Sequence, residues 1–383
     1  MSKMSLSTPN IKGNEWKYVK ECLDTEWVSS AGKYVELFEE KISEYTGAKY
    51  AIACVNGTSA LQLSFLLAGV KENDEVIVPT LTFIATVNAI VYNRAKPIFM
   101  DADNFCNIDK DKTIEFIKDK TIFKEGFTYN ISTKNRISAI SPVHVWGNAA
   151  NLDELFLLCK ERNIKIVEDA SESLGTIYTK GLFKGKHTGI VGELGCISFN
   201  GNKIITTGGG GMILTNDPIL ATKARYLSTQ AKDDEVRYIH NQVGYNFRLT
   251  NVQAAIGVAQ MEQLPKFLDC KKEIHSTYKN ELKKINGLSL LETPDYSKNN
   301  NWINLLKIDS KQYGKNTEDI RKLMDKKGIQ TRPIWKLNHL QNPYKSFFSY
   351  KIENAEKLVN NSLCLPSSTN LANEDLIKII ETL

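Results

Sequence analysis

The sequence has no concentration of cysteines that could form a metal site or a disulfide framework. Seven cysteines are scattered along 383 residues without a CxxC pair or a cluster with histidine, at positions 22, 54, 106, 159, 196, 270 and 364. An odd, scattered set is typical of reduced thiols, so we expect no disulfide and no metal. The start of the chain lacks an apolar stretch of signal-peptide length, and no run of about twenty apolar residues occurs, so we expect a cytoplasmic protein outside the membrane.

A dense block of basic residues is absent as well. The formal net charge is +5, and lysine and arginine do not alternate with aromatic residues in any repeated pattern. Nucleic-acid binding is therefore not expected. The chain has no internal repeat and no low-complexity segment, and its length and 42% hydrophobic content predict two packed domains.

Seven strand-like runs occur in the first part of the chain. They cover residues 51–55, 75–78, 98–101, 139–145, 164–168, 196–199 and 212–215, and helical segments alternate with them. This alternation predicts an α/β fold with a mostly parallel sheet covered by helices. After residue 250 a long helical stretch to about residue 282 leads to a smaller αβ region. We therefore predict an N-terminal segment and large domain over 1–250 and a small C-terminal domain over 251–383.

One lysine stands in a glycine-dense turn between two of these strands. The segment 198–212 reads SFNGNKIITTGGGGM, with Lys203 near its centre and four glycines at 208–211. Those glycines permit positive φ or close backbone approach, so a planar ligand could lie against the turn. A desolvated lysine amine can attack a carbonyl carbon and form a Schiff base. A solvated loop lysine is the alternative.

A buried strand-like run delivers carboxylates upstream of this lysine. Residues 164–167 read IKIV and are apolar apart from Lys165, and Glu168 and Asp169 follow. Ligands of open α/β sheets bind beyond the carboxyl ends of the strands. Asp169 is our candidate for pairing with a protonated pyridine nitrogen, and capping of the next turn is the alternative for both acids.

A third element is a strand, an Asn-Gly turn and a helix within residues 50–69. The helix is predicted to start near Thr58 or Ser59, so the N–H groups at Gly57, Thr58 and Ser59 could seat a phosphate. A helix cap without a ligand is the commoner case. A phosphate seat, a ring-nitrogen carboxylate and a Schiff-base lysine together are what pyridoxal phosphate requires.

Nine motifs spread over most of the chain carry a family resemblance. In order they are WVSSAGKYVELFE, NGTSAL, PTLTFIATVNAI, VHVWGNAANLDEL, VEDASESLG, SFNGNKIITTGGGGM, GYNFRLTNVQAAIG, TRPIW and LCLPSS. The chain resembles the DegT/DnrJ/EryC1/StrS sugar aminotransferases, which are fold type I pyridoxal phosphate enzymes acting on nucleotide-linked keto sugars. The resemblance implies a large domain with a mostly parallel seven-stranded sheet and a smaller C-terminal αβ domain.

The resemblance also implies roles for residues around the cofactor. Lys203 would form the Schiff base and carry protons in both half-reactions. Ser198, Thr58 and Ser59 would hold the phosphate, and Asp169 would bind the pyridine nitrogen.

Three further positions match the family pattern around the cofactor, and Arg248 follows two residues after the last of them. Glu172 would lie near the hydroxyl of the cofactor ring, and Phe83 would stack on its face. Asn246 would reach the cofactor phosphate of a neighbouring subunit, which implies a homodimer with shared active sites. Arg248 would support the carboxylate of the amino donor or form a structural ion pair, and both readings are open.

The substrate side carries fewer signals. Residues that border the sugar nucleotide in relatives match Trp27, Ser29, Ser30, Lys33, Arg332, Trp335 and His339. Plain packing is an equal alternative for both tryptophans. His144 could touch substrate, although a histidine that ends a buried strand is more often structural.

The implied reaction moves the amino group of L-glutamate to C4 of a nucleotide-linked 4-keto-6-deoxy sugar. The best resemblance is to enzymes that convert UDP-2-acetamido-2,6-dideoxy-4-hexulose to UDP-4-amino-4,6-dideoxy-N-acetylglucosamine on the bacillosamine and legionaminic acid routes. GDP-perosamine synthase is the alternative, but such enzymes typically carry glutamate where this chain has Gly209. A C3 aminotransferase is less favoured.

Two other classes of function remain to be weighed. A branch of the family dehydrates at C3 and has histidine in place of the Schiff-base lysine, so Lys203 argues against it. A non-catalytic regulatory or scaffold role is disfavoured by the joint presence of Lys203, Asp169 and Ser198, although a fold alone never guarantees activity.

Overall fold

The computed structural model describes residues 4–383. Its helices are α1 Glu15–Asp24, α2 Lys33–Thr46, α3 Gly57–Leu67, α4 Ile84–Tyr92, α5 Lys110–Asp119, α6 Asp153–Glu161, α7 Pro218–Ser228, α8 Asn251–Leu282, α9 Ser310–Tyr313, α10 Thr317–Lys326, α11 Asn354–Asn360 and α12 Asn373–Thr382. Its strands are β1 Tyr50–Cys54, β2 Glu75–Pro79, β3 Lys96–Met100, β4 Thr121–Lys124, β5 Phe127–Asn130, β6 Arg136–Ile140, β7 Lys165–Asp169, β8 Ile177–Tyr178, β9 Leu194–Ser198, β10 Gly211–Thr215, β11 Leu288–Leu290, β12 Ser297–Lys298, β13 Asn304–Ile308, β14 Arg332–Pro333, β15 Ser349–Tyr350 and β16 Ser362–Leu365.

A large sheet with strand order β1-β10-β9-β7-β6-β2-β3-β15 forms the centre of the protein. The pairs from β9 to β15 are parallel, whereas β10 runs antiparallel to both of its neighbours. All seven predicted strands are present, and the mostly parallel α/β fold is confirmed. The prediction of seven strands was incomplete, because β15 and the β4–β5 hairpin enlarge the sheet to ten.

Both faces of the large sheet are covered by helices. On β2, Val76 and Val78 pack with apolar residues of α3, α4 and α7, whereas Ile77 between them packs with α5 and α6. Successive side chains of a strand point to opposite faces, so the unbroken apolar run of β2 is explained by burial on both sides. The predicted strand 139–145 was too long, since β6 ends at Ile140 and Pro142 and His144 lie in the following turn.

The long helix α8 starts at the predicted boundary near residue 250. Thr250 caps it with a capping box to Gln253. Apolar residues from its first half pack against α1 and α2, and those from its second half pack against a four-stranded sheet of order β11-β13-β16-β14. The division into domains at this helix stays a prediction, because α8 belongs to both cores.

The C-terminal region is also tied to the large sheet. Strand β15 pairs in parallel with β3. Asp101, the residue that directly follows β3, is fully buried. Its carboxylate accepts a hydrogen bond from Lys112 Nζ at 2.7 Å and from the backbone N–H groups of Glu353, Asn354 and Ala355 at 2.8–3.0 Å. One carboxylate therefore holds the start of α11 against the end of β3.

Membrane insertion through a helix finds no support in the described part of the chain. Between residues 4 and 383, no helix is both long enough and apolar enough to cross a bilayer.

The contact between α8 and α2 generates the first prediction. A Cβ atom on Gly257 would lie 2.7 Å from Phe38 Cε2, and Phe38 is fully buried. We expect Gly257→Ala to lower the free energy of unfolding by about 1–3 kcal/mol through overpacking, measured by denaturant unfolding. Gly201→Ala is the control, because a Cβ there has no neighbour within 4 Å. A Gly257→Ala protein as stable as the control would contradict this packing.

Candidate active site

A cavity of about 300 Å³ lies beyond the carboxyl ends of β1, β2, β6, β7 and β9. Five strands thus deliver residues to one edge of the sheet, where ligands of open α/β sheets bind. The residues that line it are Asn56, Gly57, Thr58, Leu61, Thr82, Phe83, Ala85, Thr86, Val143, Asp169, Ser171, Glu172, Ser198, Asn200, Asn202, Lys203, Gly209, Gly210, Trp302 and Trp335.

One end of the cavity is the N-terminus of α3. The helix begins at Gly57, slightly earlier than predicted, and Asn56 caps it by accepting the N–H of Ser59 at 2.8 Å. A Cβ on Gly57 would lie 2.9 Å from Ser198 Cβ, so only glycine lets the helix start approach the end of β9 this closely. The first N–H groups of a helix lack partners within it, and the hydroxyl of Ser198 lies nearby, since its Oγ would be 3.3 Å from a Cβ on Gly57. This end suits a phosphate group.

Ser59, which was predicted to help hold the phosphate, does not line the cavity. Its backbone N–H is already used by the Asn56 cap, and its buried side chain is not among the cavity-lining residues. The sequence did not show that Asn56 would cap the helix instead of merely opening a turn. Gly57, Thr58 and Ser198 therefore remain the candidates for this end of the cavity.

The carboxylate of Asp169 stands at the end of β7 with 5% of the residue exposed. Its Oδ2 accepts a hydrogen bond from Thr86 Oγ1 at 2.6 Å, and its Oδ1 accepts one from the N–H of Ser171 at 3.0 Å. A carboxylate fixed in this way can pair with a pyridinium nitrogen. Thr86 was missed by the sequence reasoning, although it lies only three residues after Phe83 in the same motif.

Lys203 also lines the cavity, with only 13% of its side chain exposed. Its Nζ is 3.4 Å from Glu172 Oε1 and 4.3 Å from the centroid of the Trp302 ring. Burial raises the pKa of Glu172, and the nearby lysine opposes that rise. The contact with Trp302 was not predicted, since this tryptophan comes from the C-terminal region and belongs to none of the motifs.

An aromatic wall closes another side of the cavity. Phe83 lies edge-on to Trp335 with ring centroids 6.2 Å apart, and Trp335 stacks on Trp146 at 4.9 Å and 19°. Trp146 has φ +50°, which is unusual for a bulky residue, and its N–H donates to Glu172 Oε2 at 2.9 Å. This backbone conformation therefore orients the carboxylate that faces Lys203.

Glu168 and His144 form a buried network that supports the site from behind. Glu168 Oε2 is 2.9 Å from His144 Nε2, and the Glu168 carboxylate accepts the N–H groups of Gly189, Val191 and Gly192. The N–H of Ala150 donates to His144 Nδ1 at 3.0 Å, which leaves Nε2 to face Glu168. Neither side chain lines the cavity.

Most of the predicted substrate residues lie away from this cavity. Trp27 is exposed on the segment before α2, and Lys33 is exposed at the first position of α2, where it pairs with Glu21. The residues that do not line the cavity are Trp27, Ser29, Ser30, Lys33, Arg248, Arg332 and His339. Within one chain, these residues therefore do not meet at the Lys203 cavity. The order of motifs along the sequence does not determine where a loop lies in the fold.

Arg248, His339 and Arg332 have other neighbours. Arg248 lines a separate groove of about 830 Å³ beside α7, and its Nη2 donates to Gln230 Oε1 at 2.7 Å. His339 Nδ1 is 2.7 Å from Thr80 Oγ1, and Arg332 is exposed in β14. That groove is larger than the Lys203 cavity, but the carboxylates, helix start and amine that pyridoxal phosphate needs converge only on the latter.

Asn246 is exposed and does not line the cavity of its own chain. Its backbone bridges to Thr229. A role toward a second subunit is untested and stays a prediction.

Metal chemistry has no support in the described residues. Within the range 4–383, no group of three or more histidine, cysteine, aspartate or glutamate side chains could hold a metal ion.

The family model of the DegT/DnrJ/EryC1/StrS aminotransferase family matches residues 9–383. The chain belongs to this family. It is a pyridoxal phosphate-dependent aminotransferase of fold type I. The residues present fit that cofactor, because a helix start, a buried carboxylate and a lysine amine surround one cavity and Gly57 leaves room where a Cβ would not fit.

Characterised relatives share most of their length with this chain. It is 38% identical to a GDP-perosamine synthase of Escherichia coli O157:H7, with 98% of this chain and 96% of the relative covered. It is 30% identical to a UDP-4-amino-4,6-dideoxy-N-acetyl-beta-L-altrosamine transaminase of Campylobacter jejuni, with 99% and 96% covered. The structure of DesI with its TDP-sugar product superposes with a TM-score of 0.88 at 25% identity, covering 100% of this chain and 92% of DesI.

The buried Glu168 network generates the second prediction. Burial alone would raise the pKa of Glu168, but His144 and the backbone N–H groups hold it below the usual value of 4.5. The network therefore stabilises the fold above about pH 4.5 and loses this effect as the carboxylate is protonated at lower pH. We expect Glu168→Gln to lower the free energy of unfolding at pH 7 by about 3 kcal/mol, measured by denaturant unfolding.

The pH dependence provides the internal check. The difference between the original protein and Glu168→Gln should shrink as the pH falls from about 5 toward 3. Glu161→Gln, an exposed glutamate on α6, is the matched control and should change the free energy of unfolding by less than about 0.5 kcal/mol. A difference that stays constant with pH would contradict the assignment of a charged Glu168.

Proposed function

We propose that this protein transfers the amino group of L-glutamate to C4 of UDP-2-acetamido-2,6-dideoxy-4-hexulose, giving UDP-4-amino-4,6-dideoxy-N-acetylglucosamine. The observation that carries the proposal is the Lys203 amine, which lies beside Glu172 in the same cavity as Asp169 and the start of α3. A lysine, a carboxylate and a helix start in one small cavity serve the reactive carbon, the ring nitrogen and the phosphate of the cofactor, respectively.

Each group has a separate task in this proposal. The N–H groups of Gly57 and Thr58, with the Ser198 hydroxyl, bind the phosphate, and Phe83 packs on the ring face. Asp169 pairs with the ring nitrogen, and Thr86 keeps its carboxylate in place. When bound, pyridoxal phosphate supplies an electron sink for the carbon next to the transferred amino group.

Lys203 moves the protons in both half-reactions. In the first half-reaction its amine takes the proton from the α-carbon of glutamate and would pass it to the cofactor. After the 2-oxo acid has left, the amine would take a proton back and deliver it to C4 of the sugar. Glu172 orients the amine, since its other oxygen is fixed by the N–H of Trp146. The low exposure of Lys203 limits competition from water.

Two observations bear on the nucleotide. Gly209 lines the cavity, and a Cβ there would meet only Gln253 Nε2 at 3.6 Å and Val55 O at 3.9 Å, so the fold does not require glycine. The absence of the glutamate typical of perosamine synthases is therefore a difference in the site, which favours the UDP sugar. The 38% identity to a GDP-perosamine synthase favours GDP-4-keto-6-deoxymannose as the second candidate.

An assay with both sugar nucleotides tests the substrate. We expect the protein with L-glutamate to aminate the UDP sugar with a kcat/KM at least about tenfold above that for GDP-4-keto-6-deoxymannose. Mass spectrometry and NMR of the product identify the sugar and distinguish amination at C4 from C3. Turnover of the GDP sugar alone, or an amino group at C3, would replace the proposed substrate.

Position 209 offers a matched pair of variants for the same assay. Gly209→Glu places a carboxylate in the cavity and should lower kcat/KM for the UDP sugar about tenfold or more. Gly209→Ala adds only a methyl group at ordinary contact distances and should stay within about twofold of the original protein. An equal loss in both variants would show that size, and not charge, matters at this position.

A homodimer with shared sites is the second part of the proposal. Asn246 is exposed on its own chain, so it is available to the cofactor phosphate of a second copy. Mixing inactive Lys203→Ala subunits with inactive Asn246→Ala subunits should restore about a quarter of the activity, because mixed dimers contain one complete site. Product formation after subunit exchange measures this recovery.

The control for subunit exchange uses two residues of the same chain. Asp169 and Lys203 line one cavity, so mixing Lys203→Ala with Asp169→Ala subunits should restore no activity. Failure of the Asn246 mixture to recover activity, with dimers and exchange verified, would remove Asn246 from the site.

A further inference from the structure

Trp302 makes a contact with Lys203 that the proposed reaction has not yet used. The Lys203 Nζ lies 4.3 Å from the centroid of the Trp302 ring, within the range of a cation–π interaction. Trp302 is only 4% exposed, and such interactions strengthen when water is excluded. The Glu172 carboxylate at 3.4 Å is farther than the roughly 2.7–2.9 Å of a strong charge-assisted hydrogen bond, so it does not fix the amine by itself.

Every polar group of Trp302 is held in place. Its indole Nε1–H donates to the carbonyl of Asn202 at 2.7 Å, and its backbone N–H donates to Asn300 Oδ1 at 3.0 Å. Its carbonyl accepts a hydrogen bond from Lys271 Nζ at 2.8 Å. Asn202 directly precedes Lys203 in the chain, so the indole is attached to the same turn that carries the amine.

Lys271 is a second buried lysine, and nothing in the proposed reaction uses it. It lies on α8 with 2% of its surface exposed, and its Nζ also donates to the carbonyl of Ser367. Burial lowers the pKa of Lys271 to about 7. Its placement between two carbonyls connects α8 to Trp302, which makes it a positioning residue for the indole.

We propose that Trp302 is a catalytic residue that holds the free Lys203 ammonium group against its indole face between the two half-reactions, with Lys271 fixing the indole. The inference depends on Lys203 being the cofactor lysine of the proposed function. Once glutamate has displaced it, the freed amine must stay near the reacting carbon, and its protonated form, which exchanges its proton with water, is a cation. The negative face of an indole attracts the cation without accepting that proton.

Acylation of Lys203 in the intact holoenzyme tests this contact. Excess L-glutamate converts the cofactor to pyridoxamine phosphate and frees Lys203, and an amine-acylating reagent then labels the unprotonated fraction, which peptide mass spectrometry quantifies. At pH 8 we expect Lys203 in Trp302→Leu to react about two- to thirtyfold faster than in the original protein. At a pH high enough to deprotonate the amine fully, the rates should agree within about twofold, because access to the reagent is then the only remaining difference.

Three further variants complete the design. Trp302→Phe keeps a buried aromatic face in case Trp302→Leu does not fold, and it should give an intermediate rate. Trp335→Leu removes a tryptophan from the same cavity whose ring packs on Phe83 and Trp146, so the labelling rate should be unchanged. Lys271→Met should raise the labelling rate of Lys203, as Trp302→Phe does. Lys272 is the exposed neighbour of Lys271, and Lys272→Met should leave the rate unchanged.

The outcomes separate this inference from the proposed function. Lys203 that is labelled equally with and without glutamate is not the cofactor lysine, and the proposed function then fails. Lys203 that is protected until glutamate is added, but whose rate at pH 8 is unchanged in Trp302→Leu and Trp302→Phe, overturns the role of Trp302. Unchanged labelling in Lys271→Met removes Lys271 from the mechanism.

Discussion

The site depends on one geometric constraint, namely that the carboxyl ends of five strands meet at the same edge of the central sheet. Because β1, β2, β6, β7 and β9 point the same way, segments far apart in the chain are delivered to one cavity. The strands also arrive buried on both faces, so their ends are held rigidly. The Asp169 carboxylate and the N-terminus of α3, where a phosphate would bind, can therefore keep a fixed separation without any contact between them.

Those residues that follow a strand could be found from the sequence, because a strand end predicts a position in space. Asp169 and Ser198 end β7 and β9, Gly57 follows β1, and all three line the cavity. The seven main strands were found for a related reason, since burial on both faces leaves continuous apolar runs. The β4–β5 hairpin and β15 are short edge strands with half-exposed side chains, so they left no comparable signal.

Contacts made by tertiary packing were beyond the sequence. Trp302 reaches Lys203 from a segment about a hundred residues later in the chain. Hydrogen bonds to Asn202 and Lys271 fix its position, and no local sequence pattern reveals them. The proposed substrate residues Trp27 and Lys33 lie outside the Lys203 cavity of their own chain, and their role stays a prediction. A motif can mark a segment as functional without showing which cavity that segment serves.

The carboxylate of Asp101 has a consequence for how the site is entered. By holding the start of α11 and the side chain of Lys112, it locks the C-terminal region to the end of β3, and β15 also pairs with β3. Rotation of the C-terminal region away from the sheet would break these bonds around a buried charge, at considerable cost. Trp335 and Trp302 therefore hold fixed positions in the cavity wall. The entrance that a sugar nucleotide meets is already formed before it binds.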